Sequence, residues 1–322
     1  MKATYHPPDP GSWSGRPSVD RAYLHENIHP LDLAAGGIPE QPRTAPVLIG
    51  YACDEGVSRN LGRPGAKAGP QALRKALGKM PLLRGGVELW DAGDLACEKG
   101  GLEVLQQDFA NHLGQLLKKG FFPLAVGGGH DIAYAHFMGL CNAFPPETRI
   151  GILNFDAHLD LRQPLPRGHS GSPFLQAAVL CEEQGREFNY ACLGVRRDAN
   201  AQELWDRASS LGVLTVEREA METSNIEEVL ERISQFLEPL DVLYLTLDLD
   251  GFSSAFAPGV SAASPMGYSP DALIPCLDLI LGSGKLKSMD IAELNPGHDR
   301  DGQTAVLAAS LLHRVLHHPG LF

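Results

Sequence analysis

The pattern that most restricts the fold is an alternation, sustained from about residue 45 onward, of short apolar runs with amphipathic stretches of helical period. The apolar runs are Pro46–Tyr51, Val87–Trp90, Phe122–Val126, Ile150–Phe155, Tyr190–Gly194, Val213–Val216, Val242–Leu247 and Leu286–Ile291, each of strand length. Between them, Leu105, Phe109, Leu113, Leu116 and Leu117 form one helical stripe. Ile226, Val229, Leu230, Ile233 and Leu237 form another, opened by Ser224 and Glu227 at capping-box spacing. Ser269-Pro270 reads as a further helix start, with Pro275 as an interruption inside that segment. Strands that alternate with helices need right-handed crossovers, which give a mainly parallel sheet covered on both faces. No linker, repeat or low-complexity tract divides residues 45–322, so one α/β domain is expected there. Residues 1–44 are rich in Pro, Gly and His without a sustained period and are predicted to be an irregular N-terminal arm.

Charge removes some classes of partner. With 27 basic and 39 acidic residues the formal charge is −12, which disfavours nucleic acid and anionic membrane. No run approaches the roughly 18 apolar residues of a transmembrane helix, and Met1–Pro8 lacks a secretory apolar stretch. Six cysteines are scattered without a C-x-x-C pair, which suits a reducing compartment. A soluble cytoplasmic protein is expected.

Four of the candidate strands run into polar residues that would be costly in a plain core. Phe122–Val126 leads to Gly127-Gly128-Gly129-His130-Asp131, and Ile150–Phe155 leads to Asp156-Ala157-His158-Leu159-Asp160. Val242–Leu247 leads to Asp248-Leu249-Asp250, and Leu286–Ile291 to Ala292-Glu293-Leu294-Asn295-Pro296. Ligands of open α/β sheets bind beyond the carboxyl ends of strands, so all four would converge on one edge. Side chains two apart in an extended segment share a side, so Asp156, His158 and Asp160 can face one point, as can Asp248 and Asp250. The glycines before His130 remove side chains where backbone must pass close to something.

Four aspartates gathered this way would resist ionising together, whereas two divalent cations would balance them. Mixed oxygen and imidazole ligands favour manganese over calcium or magnesium, with iron, cobalt or zinc as other possibilities. A lone Asp-Leu-Asp after a strand is usually a turn or a helix cap, and Asp-Ala-His-Leu-Asp alone could be a solvated loop. Three such elements at strand ends, with charges that balance, make the metal reading the better one. Nucleotide and serine-hydrolase motifs fail: there is no complete G-x-G-x-x-G, no Walker loop at Gly284-Lys285-Leu286, and no G-x-S-x-G around Gly168-His169-Ser170-Gly171.

Taken together and in order, Gly127–His130, Asn154–Asp160, Leu247–Asp250 and Asp290–Pro296 resemble the ureohydrolases, the arginase–agmatinase–formimidoylglutamase superfamily. The resemblance implies a three-layer α/β/α fold around an eight-stranded, mainly parallel sheet, with two manganese ions per chain. It implies that His130, Asp156, Asp160 and Asp248 hold one ion, that Asp156, His158, Asp248 and Asp250 hold the other, and that Asp156 and Asp248 bridge. Three segments resemble the formimidoylglutamase branch: Asp9–Arg16, Asp160-Leu161-Arg162 with Ser170–Phe174, and Ala257–Ala262. The implied reaction, part of histidine degradation, cleaves N-formimino-L-glutamate to L-glutamate and formamide. A hydroxide bridging two cations, its pKa lowered by both, could attack the amidine carbon.

Glu293 could hold the cationic amidine, or equally a guanidinium. Two substrate carboxylates call for arginine forks; Arg162 stands nearest the metal motif, and Arg196 and Arg197 follow another strand end. Other branches carry a proton-shuttling histidine in the loop after the metal motif; here the aligned place is Ser170, with His169 one residue earlier as acid or base. Asp131 stands where that branch is expected to have glutamate, and His317-His318 read as surface or packing residues. The rival readings are a ureohydrolase that releases urea from arginine, agmatine or a guanidino acid, and a catalytically silent metal-binding homologue. The partner is therefore a small amidine or guanidine, and analogy suggests a homo-oligomer, a trimer or hexamer.

Overall fold

The computed structural model describes residues 3–83 and 87–322. Ten strands form one sheet. Two lie in the N-terminal arm, β1 (Ala3–His6) and β2 (Ile28–Pro30). The other eight are β3 (Ala45–Ala52), β4 (Leu89–Cys97), β5 (Phe121–Val126), β6 (Ile150–Phe155), β7 (Asn189–Val195), β8 (Leu214–Glu217), β9 (Val242–Asp248) and β10 (Leu286–Ala292). All eight predicted runs overlap a strand. The order across the sheet is β1-β4-β3-β5-β10-β9-β6-β7-β8, with β2 also beside β4. Only β1 pairs antiparallel; the other pairings are parallel.

Two expectations need correcting. The arm is not wholly irregular, because β2 pairs with Leu89–Asp91 and β1 with Asp94–Cys97, end to end along the outer edge of β4. This raises the sheet from the expected eight strands to ten and covers an otherwise open edge. Segments of four and three residues are too short to show a period in sequence. Strand β4 also runs on to Cys97 instead of stopping at Trp90. Asp91 and Asp94 end the apolar run on paper, but in the fold both grip the buried Arg74 guanidinium, at 2.8 and 2.7 Å.

The nine α-helices among the described residues are α1 (Glu55–Arg59), α2 (Gly69–Leu77), α3 (Leu102–Lys118), α4 (Ile132–Ala143), α5 (Pro173–Gln184), α6 (Gln202–Ser210), α7 (Ile226–Leu237), α8 (Pro270–Gly282) and α9 (Gln303–Leu316). Strand residues alternate between two cores. In β9, Leu243, Leu245 and Leu247 pack with α2, α7, α8 and α9, while Val242 and Tyr244 pack on the opposite side with α4, α5 and α6. Helix α3 covers that opposite side over β3, β4 and β5 through Leu105, Phe109, Leu113 and Leu116. The result is three layers, α/β/α. Asn225, not Ser224, is the N-cap of α7, and no side-chain capping bond forms there. Ser269 occupies the N-cap position of α8, also without a side-chain capping bond, with Pro270 at the first helical position, and the helix continues past Pro275.

Candidate metal centre

Strands β5, β10, β9 and β6 lie side by side. Their carboxyl ends therefore deliver the four motifs to one place: His130 after β5, Glu293 after β10, Asp248 and Asp250 at the end of β9, and Asp156, His158 and Asp160 after β6. Gly128 is the tightest point of the β5 exit. A Cβ there would stand 1.6 Å from the carbonyl oxygen of Cys53, so only glycine fits. Asp160 and Glu293 adopt left-handed backbone, with φ of 49° and 66°. Such conformations cost free energy in non-glycine residues and gather where a side chain must be aimed at a site.

Six side chains then form two overlapping donor groups, His130/Asp156/Asp160/Asp248 and Asp156/His158/Asp250, with Asp156 common to both. The Nδ1 atom of His130 lies 2.9 Å from Asp160, 3.1 Å from Asp248 and 3.2 Å from Asp156. The Nδ1 atom of His158 lies 3.3 Å from both Asp156 and Asp250. Asp156 and Asp248 are oriented alike. In each, Oδ1 accepts from the amide two residues on, His158 N at 2.7 Å and Asp250 N at 2.8 Å. That leaves Oδ2 of both aimed at His130.

A buried relay behind His130 decides which ring nitrogen is free. Thr246 donates its hydroxyl proton to Asp290 Oδ1 at 2.6 Å, and Tyr244 donates to Asp290 Oδ2. Having given away its one proton, Thr246 Oγ1 can only accept from His130 Nε2, which lies 3.0 Å away. Nε2 therefore carries hydrogen, and Nδ1 is the nitrogen presented to the carboxylates.

The site's electrostatics match a place meant for cations. Burial alone would lower the imidazole of His130, but Asp248, Asp156 and Asp160 outweigh it and hold it well above its usual range. His158 is lowered by burial and raised further by Asp250 and Asp156, with the same net result. Burial, then the charge of Asp156, pushes Asp160 up to about 6. Asp250 and Glu293 are raised by burial and by the neighbouring aspartates. Glu293 Oε2 is buried without any hydrogen-bond donor, and Asp250 Oδ1 has only the 3.3 Å contact with His158 Nδ1. Carboxylate oxygens and imidazole nitrogens gathered this closely in a buried place need positive charge among them, and the two overlapping donor groups fit two divalent cations.

The cluster opens into a cavity of about 300 Å³, lined also by buried Glu293 and exposed Arg162. Glu293 Oε1 accepts from the His130 amide at 3.0 Å. Three predicted residues are not brought there. His169 accepts from Gly171 N at Nδ1 (3.2 Å) and directs Nε2 to the carbonyl of Gln163 (3.1 Å), so both nitrogens brace its own loop. Ser170 lines the cavity in its place. Arg196 turns to Asp198 at 2.6 Å, and Arg197 to Glu217 at 2.5 Å and the face of Trp205. In this structure these local partners hold all three side chains away from the cavity lining. Arg63, which no motif singled out, does line it. Its flanking glycines, Gly62 and Gly65, were the available signal of a tightly packed loop.

Buried paired donors at the ends of three parallel strands, β5, β9 and β6, define a binuclear metal centre on an α/β/α scaffold, and residues 45–318 match the arginase family: the chain belongs to that family. Within it the curated similarity is to formimidoylglutamases. That of Aeromonas hydrophila subsp. hydrophila is 41% identical over 318 residues, which is 97% of this chain and 99% of its own length. That of Ralstonia nicotianae is 42% identical over 314 residues, covering 96% and 95%. Among solved structures, Trypanosoma cruzi formiminoglutamase with Mn2+ superposes with a TM-score of 0.73 at 26% identity, covering 85% of this chain and 92% of that one. Bacillus subtilis formimidoylglutamase shares the fold, with a TM-score of 0.80 at 22% identity over 94% and 93%.

Proposed function

We propose that this chain is a binuclear manganese hydrolase that cleaves the C–N bond of N-formimino-L-glutamate, giving L-glutamate and formamide in histidine degradation. One observation carries the reading: the six-residue donor cluster opens on a cavity with a buried carboxylate, Glu293, and an exposed guanidinium, Arg162. The substrate has the complementary ends, a cationic amidine and two carboxylates. The curated relatives of this chain carry the formimidoylglutamase name along nearly their whole length.

His130, Asp156, Asp160 and Asp248 would hold one ion and Asp156, His158, Asp248 and Asp250 the other, so that Asp156 and Asp248 would be shared between them. Bound cations of this kind supply a water acidic enough to act as a nucleophile at neutral pH. The protein's own groups do the rest. Glu293 uses Oε1 to hold the His130 amide, which leaves Oε2 to accept from the amidine nitrogens. Burial has raised its carboxyl, and an arriving amidinium would stabilise the charged form by a close, desolvated pairing. Arg162 anchors a carboxylate and so orients the amidine carbon toward the cluster. The six free cysteines suit a cytoplasmic enzyme, and assembly as a trimer or hexamer is the family analogy that sedimentation would check.

Purified manganese-loaded protein should release glutamate and formamide from formiminoglutamate and contain about two ions per chain. Asp156→Ala and Asp248→Ala should each lose metal and activity together, since each removes a bridge. Release of urea from arginine, agmatine or a guanidino acid, with no turnover of formiminoglutamate, would refute the substrate assignment.

A further inference from the structure

Arg63 stands on the loop between α1 and α2, and its placement is more constrained than that of an ordinary surface arginine. Its Nε donates to the carbonyl of Ser261 at 2.8 Å and its Nη2 to that of Val260 at 2.6 Å. Its main-chain amide donates to Ser261 Oγ at 2.8 Å. From the other side, Asn295 Nδ2 donates to the carbonyls of Arg63 and Pro64 at 3.0 and 3.2 Å. Asn295 lies two residues beyond Glu293, so the loop after β10 holds both the Arg63 backbone and the proposed amidine-binding carboxylate. Gly62 permits the close approach, because a Cβ there would meet Ser261 Oγ at 2.7 Å.

Every polar partner of the Arg63 guanidinium is neutral, so its charge stays available, and Nη1 has no partner among the described residues. Arg162 is similar: its Nη1 donates to Asn60 Oδ1 at 3.3 Å, a neutral group. Among the residues that line the metal cavity, Arg63 and Arg162 are the two arginines, one from the loop after α1 and one from the loop after β6. Both are exposed, while Glu293 is buried. A substrate held by its amidine at Glu293 would extend its two carboxylates toward the exposed part of the cavity.

We propose that Arg63 is a specificity-determining residue, binding one of the two substrate carboxylates while Arg162 binds the other. The inference rests on the dicarboxylate amidine reading above and adds the group that accounts for the second charge. A fork anchored through two of its nitrogens loses little entropy on binding, which is the advantage of arginine over lysine here.

The test compares wild type with Arg63→Ala, Arg63→Lys and Arg162→Ala, all manganese-loaded and checked for metal content. Substrates are formiminoglutamate and two analogues, the N-formimino derivatives of 4-aminobutyrate and 2-aminobutyrate, each lacking one carboxylate. Losing a charge-assisted anchor should lower kcat/KM for formiminoglutamate by on the order of 100-fold in Arg63→Ala, with Arg63→Lys intermediate. For one analogue that loss should shrink to within about threefold, and for the other analogue the Arg162→Ala loss should shrink instead. An Arg63→Ala loss that is the same for all three substrates, or that vanishes with the same analogue as Arg162→Ala, overturns the proposal. Wild-type turnover of formiminoglutamate with no effect of Arg63→Ala also overturns it while leaving the function standing. Absence of wild-type turnover marks instead the failure of the function.

Discussion

Replacing Thr246 by valine keeps the shape of the side chain and removes one oxygen, which isolates what the relay behind His130 contributes. That oxygen takes the proton of His130 Nε2 at 3.0 Å while its own proton goes to Asp290 at 2.6 Å. In Thr246→Val the Nε2–H has no acceptor in a fully buried setting, and a stranded donor costs about 1–3 kcal/mol. The ring can avoid that cost only by moving its hydrogen to Nδ1, where it would block the nitrogen meant for the cation. Both outcomes weaken binding at the His130 side. Loss of such an outer partner typically lowers metal affinity about 10- to 100-fold, in line with the same free-energy range. Thr246→Ser, which keeps the hydroxyl, should stay within about threefold of wild type. Asp290→Asn should act like Thr246→Val, because an amide nitrogen would then face Tyr244 or Thr246, two hydroxyls that both donate to Asp290. Chelator competition with Mn2+ on metal-free protein measures the effect directly. Equal affinity in Thr246→Val and wild type would refute the reasoning. A Thr246→Ser defect as large as that of valine would also refute it, since packing and not the hydroxyl would then be responsible.

Metal affinity should rise with pH, most steeply from below pH 6 upward: metal-free His130 and His158 are raised, Asp160 is raised to about 6, and each proton bound must leave when a cation enters. Calorimetric titration with Mn2+ in buffers of different ionisation enthalpy should show net proton release, and uptake of protons would contradict this sign. Glu293→Gln retains an acceptor for the His130 amide but loses its charge, so kcat/KM should fall by about 10- to 150-fold with metal content unchanged by elemental analysis. Gly128→Ala should lower stability by about 3 kcal/mol or more, because the added carbon meets backbone that cannot turn away. Gly282→Ala, exposed in α8 with open space around it, is the matched control and should raise the melting temperature by the equivalent of about 0.5–1 kcal/mol.

The parts legible in the sequence are those where side-chain periodicity has a single explanation. Ile150–Phe155 is buried on both faces and is visible as an apolar run interrupted only by Asn154, and period two puts the three donors of the following Asp-x-His-x-Asp on one side, a reading the other strand ends then favour over a solvated loop. Strand β4 was half hidden because Asp91 and Asp94 look like solvent residues until Arg74, from α2, is known to be buried against them. Strands β1 and β2 exist only because the edge of β4 is there to receive them. Side-chain destinations were the least legible. Nothing in Arg196-Arg197 announces that Asp198 and Glu217 will take them, and nothing in Gly62-Arg63-Pro64-Gly65 announces that carbonyls nearly 200 residues away will hold a guanidinium at the cavity of the donor cluster. Asp290 carried a readable sign, an acid in an otherwise apolar strand end, but its partner Thr246 lies on a different strand.

What sequence order conceals most is how the centre is assembled. Along the chain, β5 and β6 follow one another, yet in the sheet they are separated by two strands, β10 and β9, that come last. His130, Asp156, His158 and Asp160 therefore belong to an early part of the chain, and Asp248, Asp250 and Glu293 to a part inserted between them. Asp248 reaches His130 only because β9 lies two places from β5, across β10. The relay has the same origin: Thr246 on β9 and Asp290 on β10 are register partners. Insertion of the last strands thus brings the charges together and supplies the hydroxyl that orients His130. The repulsion among the four aspartates is a cost of closing the sheet in this order, and it is a cost that divalent cations remove.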